Sequence, residues 1–378
     1  MTLPYTEEQR ELMAAVREVA RNEVAPHVAA ADEAGACPLD LYQWGFDMGL
    51  HMVEIPEEYG GMGLSYETCA MLFEELAWAD SGYADTFVTG FVAFRNILLA
   101  GTPAQARRFA DVLAPGAFAA FCLTEAGAGS DVAALRTTAV LDGDEYVING
   151  TKSFITNGSI ASLYVVFAKT DPAAGARGIT GFLVDGSAPG LSAGAKEHKM
   201  GFRLSDTCEV VFDNVRVPRE AVIGEVGGGM AVALGALNLS RAFISTLAVG
   251  IMQRALDEAV AYARERRQFG RPIIEFEMVQ AMLADMAVKC QASRAVVNNC
   301  MRLIDAGADV RVAGSVVKTF VTDALQEVTS NAVQVLGGYG YSKDYPVEKL
   351  MRDAKVFQIF EGTNQIQRLT IARELAKR

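Results

Sequence analysis

The spacing of apolar residues changes twice along this chain of 378 residues and divides it into three parts. In the first part, apolar side chains recur every three to four residues, which predicts amphipathic helices. Thr6 and Gln9 have the spacing of a capping box, so the first helix is expected to begin there. Further helices are predicted at 38–50, 66–79, 82–100 and 103–112.

From about residue 119 the apolar runs are short and are separated by Asp-Gly, Asn-Gly and Pro-Gly pairs. This pattern is typical of consecutive antiparallel strands joined by tight turns. The predicted strands are 119–123, 145–148, 163–167, 181–184 and 209–212. The helical period returns after three glycines at 227–229. The predicted helices of this last part are 234–267, 273–306, 309–336 and one from about 363.

Several of the last helices are apolar on more than one face, so we expect them to pack into a bundle and against another subunit. The predicted fold class is therefore α+β and mostly α. An N-terminal helical domain is predicted at 1–118, a middle antiparallel β domain at 119–226 and a C-terminal four-helix-bundle domain at 227–378.

Composition and charge exclude several classes of function. Hydrophobic residues make up 51% of the chain, and the net charge of -12 would repel a nucleic-acid backbone. The N-terminus lacks the apolar core of a signal peptide, and no uncharged apolar run is long enough to span a membrane, so no membrane partner is expected. Six scattered cysteines indicate free thiols and a cytoplasmic location. Three distant histidines give no support for a metal site.

Three segments could carry chemistry. The loop 124–131 has two glycines and two hydroxyl side chains, which would let backbone N–H groups approach a flat or anionic ligand. The alternative is a glycine-rich turn that binds nothing. Residues 337–341 follow an apolar helical run, and taken alone they are better explained as a helix stop. Glu361 stands between apolar residues and a Gly-Thr pair, where a surface or capping residue is the alternative to a catalytic carboxylate.

Six motifs occur in a fixed order, and together they are more specific than any one of them. They are T-E-A-G-A-G-S-D at 124–131, D-G-D-E-Y-V-I-N-G-T-K at 142–152, I-T-N-G at 155–158, E-R-R-Q-F-G at 265–270, Q-V-L-G-G-Y-G-Y at 334–341 and R-D-A-K-V-F-Q-I-F-E-G-T-N-Q-I-Q-R at 352–368. This ordered set resembles the acyl-CoA dehydrogenase family over essentially the whole chain. The resemblance implies an FAD-dependent enzyme that converts an acyl-CoA thioester to trans-2-enoyl-CoA.

The resemblance also implies roles for individual residues. Glu361 would be the base that removes the α-proton, while flavin N5 would accept a hydride from the β-carbon. The implied cofactor-binding residues are Phe121, Cys122, Leu123, Thr124, Ser130, Phe154, Ile155, Thr156, Arg266, Phe269, Gln334, Gly338, Thr363 and Gln365. The implied substrate-binding residues are Ser130, Asn238, Arg241, Phe360 and Gly362.

The family arrangement further implies an oligomer and an electron acceptor. Arg266 and Phe269, with Gln334 and Gly338 contributed by a neighbouring subunit, would hold the pyrophosphate and adenosine end of FAD. A homotetramer built as a dimer of dimers is therefore expected. Electrons would pass to an electron-transfer flavoprotein, and the activity would belong to fatty-acid β-oxidation.

Several positions depart from the family pattern. Ser240 stands where some members place the base, which leaves Glu361 without a competitor there, and Ala84 replaces the arginine of glutaryl-type members, which disfavours a dicarboxyl substrate. Phe154 replaces a common tryptophan but keeps an aromatic surface. Glu277 replaces a frequent glutamine, which puts that flavin contact in doubt. Arg95, inside an apolar helix, is expected either to snorkel or to contact the substrate.

Other functions on the same fold remain open. A flavin oxidase or hydroxylase commonly lacks the glutamate, so Glu361 counts against both. An enoyl-CoA reductase running in reverse would use the same residues, and an acyl group on a carrier protein could replace acyl-CoA. A DNA-binding relative would need an additional basic C-terminal region. Short to medium acyl groups are expected, in a pocket lined by Phe360 and residues near 86–89.

Overall fold

A computed structural model describes residues 5–377, and its N-terminal part is helical. The predicted capping box is confirmed, because Thr6 Oγ1 accepts a hydrogen bond from the Gln9 N–H at 3.1 Å and the Gln9 side chain accepts one from the Thr6 N–H at 3.0 Å. The helices are α1 (Glu7–Val19), extended by a π-helical turn (Ala20–Val24), α2 (Ala25–Ala34), α3 (Gln43–Asp47), α4 (Tyr66–Ala79), α5 (Ser81–Ala100) and α6 (Pro103–Leu113). The helix predicted at 38–50 is shorter than expected, because Leu39–Tyr42 form a 3-10 turn before it and Gly49 leaves the helical region at φ 69° after it.

Helix α5 is the central helix of this part. Its first turn is capped by Asp80, whose side chain accepts a hydrogen bond from the Tyr83 N–H at 2.7 Å. Every residue from Ser81 to Ile97 is buried, since the helix packs against both the β-sheet and the C-terminal helices. Polar side chains on α5 therefore need partners in the interior or in a cavity.

The middle part is an eight-stranded sheet. Its strands are β1 (Phe118–Cys122), β2 (Thr138–Asp142), β3 (Glu145–Thr156), β4 (Ala161–Lys169), β5 (Ile179–Asp185), β6 (Leu191–Lys196), β7 (Thr207–Pro218) and β8 (Val222–Ile223). They are arranged in the order β6-β7-β3-β2-β4-β5-β8, with β1 paired to β4. The expectation of consecutive antiparallel strands is wrong at β1, which runs parallel to β4, and at the single parallel pair of β2 with β4. The β2–β3 hairpin lies between β1 and β4 in the chain and provides the long connection that a parallel pair needs.

The C-terminal part is again helical, with α7 (Gly229–Glu265), α8 (Glu277–Asp305), α9 (Arg311–Leu336), α10 (Val347–Ala354) and α11 (Asn364–Leu375). The helices predicted at 234–267 and 273–306 are separated by a small hairpin of β9 (Arg267–Gln268) and β10 (Arg271–Pro272), which sequence periodicity did not predict. Helix α7 is long and apolar enough to cross a membrane, but 72% of its most apolar window is buried inside the protein. Such burial is typical of a helix in the core of a protein.

The predicted α+β, mostly helical class is confirmed. One apolar core joins the N-terminal helices to α7, α8 and α9, whereas a second core fills the sheet around Tyr146 and Phe182. The main chain changes from helix to strand at Phe118 and returns to helix at Gly229. Side chains from all three parts can therefore meet along α5, β1 and α7.

Candidate active site

A cavity of about 240 Å³ lies between α5, the sheet, α7 and the segment before α11. The sequence-predicted residues that line it are Phe121, Leu123, Thr124, Ser130, Phe154, Ile155, Thr156, Arg241, Phe360, Glu361 and Gly362. A larger hollow of about 720 Å³ between α1, α4, α7 and α8 is lined by none of them. The smaller cavity is therefore the candidate active site.

Four other predicted residues do not line the cavity themselves but are next in sequence to residues that do. Cys122 is buried on the opposite face of β1 because side chains alternate along a strand. Asn238 supports Arg241, whose Nη1 donates to Asn238 Oδ1 at 2.8 Å. Thr363 caps α11 by accepting a hydrogen bond from the Ile366 N–H at 3.3 Å, and Gln365 is exposed.

The remaining four predicted residues lie away from the cavity. Arg266 and Gly338 line a separate cleft, in which the Arg266 guanidinium lies 5.5 Å from the centroid of the Tyr339 ring. Gln334 is exposed on the last turn of α9, and Phe269 is 93% exposed at the tip of the β9–β10 hairpin.

Glu361 is held at the cavity by its backbone. Its φ is 56° and that of Gly362 is 85°, so both adopt the left-handed conformation, which is strained for a glutamate and often found at functional sites. The Gln367 side chain donates to the Glu361 carbonyl at 3.2 Å, and Lys318 Nζ donates to the Gly362 carbonyl at 2.9 Å. Lys318 also donates to Asn364 Oδ1 at 2.8 Å. These supporting residues were not predicted from the sequence.

The Glu361 carboxyl group is arranged to take up a proton. Its Oε2 atom is buried and has no hydrogen-bond partner within residues 5–377. Burial raises the pKa of Glu361 to about 7, whereas the charges of Arg241, Arg95 and Lys318 act in the opposite direction. A carboxyl group with such a pKa is a good proton acceptor near neutral pH.

Arg95 has neither of the two roles expected for it. Its side chain is fully buried and binds Glu54 through two hydrogen bonds of 2.6 Å. A third hydrogen bond runs from Arg95 Nη1 to Ser240 Oγ at 2.9 Å, so the Ser240 hydroxyl group helps to hold the arginine of this ion pair. Arg95 therefore does not snorkel, and it does not line the cavity. It acts on Glu361 through its charge alone.

The glycine-rich loop after β1 is fixed by a buried ion pair. Lys152 Nζ lies 2.8 Å from Glu125 Oε1 and also donates to the Leu123 carbonyl at 3.2 Å. Glu125 accepts two further bonds from Thr137, of 2.9 Å from its N–H and 2.6 Å from its hydroxyl. Two of the sequence motifs thus meet in space, and the loop that carries Thr124 and Ser130 is held against the cavity.

The cavity wall is suited to a flavin. Phe154 leaves the regular β3–β7 pairing at φ 56° and is 63% exposed, which presents a flat aromatic surface next to Ile155 and Thr156. Thr124 and Ser130 add hydroxyl groups to the same cavity. An aromatic surface bordered by hydrogen-bonding groups fits the flat, polar ring system of FAD.

Helix α5 contributes two polar residues to the cavity, Asp85 and Thr89. Thr89 belongs to the segment near 86–89 that was expected to line the acyl pocket. The Thr86 hydroxyl group, in contrast, donates to the backbone of its own helix, at the Gly82 carbonyl 3.1 Å away. Asp85 was missed, although a carboxylate in an apolar helix beside the D-S-G-Y-A segment was a visible signal.

Comparisons with known proteins match all three parts of the chain. The N-terminal, middle and C-terminal domain models of acyl-CoA dehydrogenase match residues 6–117, 120–215 and 227–376. The cyclohex-1-ene-1-carbonyl-CoA dehydrogenase of Syntrophus aciditrophicus is 42% identical over 374 residues, which cover 98% of this chain and 90% of that protein.

Solved structures are similar over the full length. The butyryl-CoA dehydrogenase of Megasphaera elsdenii superposes with a TM-score of 0.96 at 36% identity, with 100% of both chains covered. A chain from a structure described as an electron transferring flavoprotein of Acidaminococcus fermentans superposes with a TM-score of 0.97 at 40% identity, again with 100% of both chains covered.

Proposed function

The chain belongs to the acyl-CoA dehydrogenase family of FAD-dependent oxidoreductases, and we propose that Glu361 is the base that removes the α-proton of its acyl-CoA substrate. The observation that carries this proposal is the buried, unpartnered Oε2 atom of Glu361 in a cavity that also fits a flavin. When bound, FAD supplies the acceptor for the hydride of the β-carbon. The product is then the trans-2-enoyl thioester.

Two features of this chain support removal of the α-proton. The α-proton of a thioester is too weakly acidic for an ordinary carboxylate in water, but burial makes Glu361 more basic, with a pKa of about 7. The backbone N–H of Glu361 has no acceptor within residues 5–377. It is free to donate to the thioester carbonyl oxygen and so to stabilise the negative charge that develops there.

The substrate proposed is a short or compact acyl-CoA. The proposed direction is its oxidation, and not its formation by reduction of an enoyl-CoA. The similar proteins are named for cyclohex-1-ene-1-carbonyl-CoA and butyryl-CoA. Ala84 offers no cation for a distal carboxylate, so a dicarboxyl substrate is disfavoured.

Anaerobic mixing of the purified holoprotein with saturated acyl-CoAs of increasing length tests both substrate and direction. Loss of the flavin absorbance with one preferred chain supports the proposal. If no saturated acyl-CoA bleaches the flavin, but an enoyl-CoA reoxidises the chemically reduced protein, the chain is a reductase instead.

We further propose an electron-transfer flavoprotein as the electron acceptor. The similarity to the chain from the Acidaminococcus fermentans structure supports this pairing. The six cysteines are all free, which supports a reducing, cytoplasmic location, and β-oxidation is the proposed setting. Acyl-CoA-dependent reduction of an added electron-transfer flavoprotein is the direct test of the pairing.

The pH dependence of the reaction should follow the ionisation of Glu361. Only the carboxylate can accept a proton, and its pKa is raised to about 7. We therefore expect kcat/KM to rise about tenfold per pH unit at acidic pH and to level off above about pH 7. Steady-state rates with one acyl-CoA across this range provide the measurement. A kcat/KM that stays constant across the acidic range would contradict the assignment.

A homotetramer is proposed from apolar side chains exposed on the C-terminal helices. Met278 and Val288 of α8 are 76% and 66% exposed, and Val316 and Phe320 of α9 are also exposed. Such a surface is typical of an interface between subunits. Light scattering after size exclusion should give four times the chain mass, and Val288→Glu should lower it. A wild-type mass of one chain would refute the proposal.

A further inference from the structure

Two polar side chains on α5 face the candidate acyl pocket and make no hydrogen bond to the part of the chain that the structure describes. Asp85 and Thr89 are 5% and 8% exposed, and both line the cavity that contains Glu361. They are one helical turn apart, so they lie next to each other on the same face of α5. Within residues 5–377, neither side chain makes a hydrogen bond. Both are therefore available to a molecule in the cavity.

Other buried carboxylates in this protein have partners. Glu54 is bound by Arg95 and Glu125 by Lys152, while Asp80 and Asp353 share Lys349.

The positive charge that acts on Asp85 is that of Lys199. The Lys199 ammonium group, however, donates to the Ser205 carbonyl at 2.5 Å and to Thr207 Oγ1 at 2.8 Å. Asp85 thus departs from the pattern of paired buried carboxylates. It is also the carboxylate, besides Glu361, that lines the cavity.

Thr89 departs from the pattern of other helical hydroxyl groups. Thr86 donates to the Gly82 carbonyl at 3.1 Å, and Thr322 donates to the Lys318 carbonyl at 2.7 Å, each four residues earlier. This bond to the preceding turn is the usual one for a hydroxyl group inside a helix. Thr89 does not make it, so its hydroxyl group is free for a partner in the cavity.

A plain hydrocarbon chain would leave both groups without a partner. Much of the remaining lining beside them is apolar, including Val92, Leu237 and Phe360. A buried carboxyl group without a hydrogen bond is unfavourable, and burial together with the Glu361 charge raises the pKa of Asp85 to about 7. A hydrogen-bond donor on the acyl group would remove this penalty.

A hydroxyl group suits the pair better than an ammonium group or a carboxylate. It can donate to Asp85 and accept a bond from Thr89 at the same time. An ammonium group has only donors, so it would leave the Thr89 O–H without an acceptor on the substrate, whereas a carboxylate would be repelled by both carboxyl groups of the cavity.

We propose that Asp85, assisted by Thr89, is a specificity-determining residue that binds a hydroxyl group on the acyl chain, so that the preferred substrate is a hydroxyacyl-CoA. This inference rests on the proposed function, since it assumes that the acyl group of the substrate enters this cavity.

Matched pairs of acyl-CoAs test the inference. Each pair has the same short or cyclic carbon skeleton and differs by one hydroxyl group, which is placed in turn at each carbon beyond the β-carbon. With wild-type holoprotein, kcat/KM for one hydroxylated member should exceed that of its plain partner by about tenfold or more, since a site built to bind a hydroxyl group rejects the analogue that lacks it.

The variants separate the two side chains. Asp85→Leu removes the acceptor at nearly constant volume and should bring the ratio of the two kcat/KM values close to one, whereas Thr89→Val should lower it by a smaller factor. Asp111→Asn, which changes an exposed carboxylate of α6, is the control and should keep the wild-type ratio. Retained FAD absorbance and circular dichroism establish that each variant is folded.

Two results would overturn the inference. The first is that no hydroxylated isomer is preferred and that Asp85→Leu leaves the ratios unchanged. The second is that Asp85→Leu and Asp85→Asn both abolish bleaching by every acyl-CoA although FAD stays bound, because Asp85 would then be a proton acceptor in the reaction. In the first case, bleaching by plain acyl-CoAs still supports the proposed function. If no acyl-CoA of either kind bleaches the wild-type flavin, the proposed function itself fails.

Discussion

Replacing Glu361 by glutamine is expected to slow the bleaching of the flavin by acyl-CoA by about 10³- to 10⁴-fold, which is the upper range for loss of a general base. An amide of the same shape cannot accept the α-proton. FAD should remain bound, because the Glu361 side chain makes no hydrogen bond that holds the loop, which is fixed instead by Gln367 and Lys318. Stopped-flow absorbance under anaerobic conditions measures the rate.

The matched control for this experiment is Glu11→Gln, which makes the same chemical change on the exposed face of α1. It should bleach at the wild-type rate. Bleaching of Glu361→Gln at an undiminished rate would show that another group takes the proton. Ser240 is not such a group, since its hydroxyl donates to the Ala236 carbonyl at 3.0 Å and accepts from Arg95.

The second large effect is expected at the buried ion pair of Arg95 and Glu54. Arg95→Met should lower the free energy of unfolding by about 3–5 kcal/mol, because it leaves the Glu54 carboxylate buried without its partner. The double variant Glu54→Gln with Arg95→Met should recover much of the loss, since no unpaired charge remains. Urea unfolding of the holoprotein, followed by circular dichroism, measures the two single variants, Arg95→Met and Glu54→Gln, beside the double variant.

This ion pair also connects stability to chemistry. The charge of Arg95 lowers the pKa of Glu361, so its removal should move the midpoint of the kcat/KM profile to higher pH. A purely structural role would leave that midpoint in place. A double variant that is less stable than either single variant would contradict the pairing argument.

Local sequence signals predicted the elements whose causes are local. The capping box at Thr6 needs only two residues that are three positions apart. The ends of α4, α5 and α6 are likewise marked by serine, aspartate, glycine and proline residues. The parallel pairing of β1 with β4 was not predictable in this way, since it depends on contacts more than 40 residues apart. Strand β6 was missed because most of its residues are exposed and show no apolar alternation.

The candidate site shows the same division. Ordered motifs predicted a set of residues that the fold brings to one cavity, from Phe121 to Glu361. The spacing of those motifs carries no information on how α5 is rotated, and that rotation decides that Asp85 and Thr89 face the cavity while Thr86 does not. The partner of Arg95 was equally hidden, because Glu54 lies 41 residues earlier and meets it only through helix packing.

The most direct test of the account is exchange of the α-hydrogens with solvent. An acyl-CoA analogue with sulfur in place of the β-carbon can lose an α-proton but cannot give up a hydride, so it isolates the step assigned to Glu361. In deuterium oxide, the wild-type holoprotein should exchange these hydrogens, as followed by NMR, whereas Glu361→Gln with FAD bound should exchange them no faster than buffer. Equal exchange by the two proteins would contradict the assignment of Glu361 as the base.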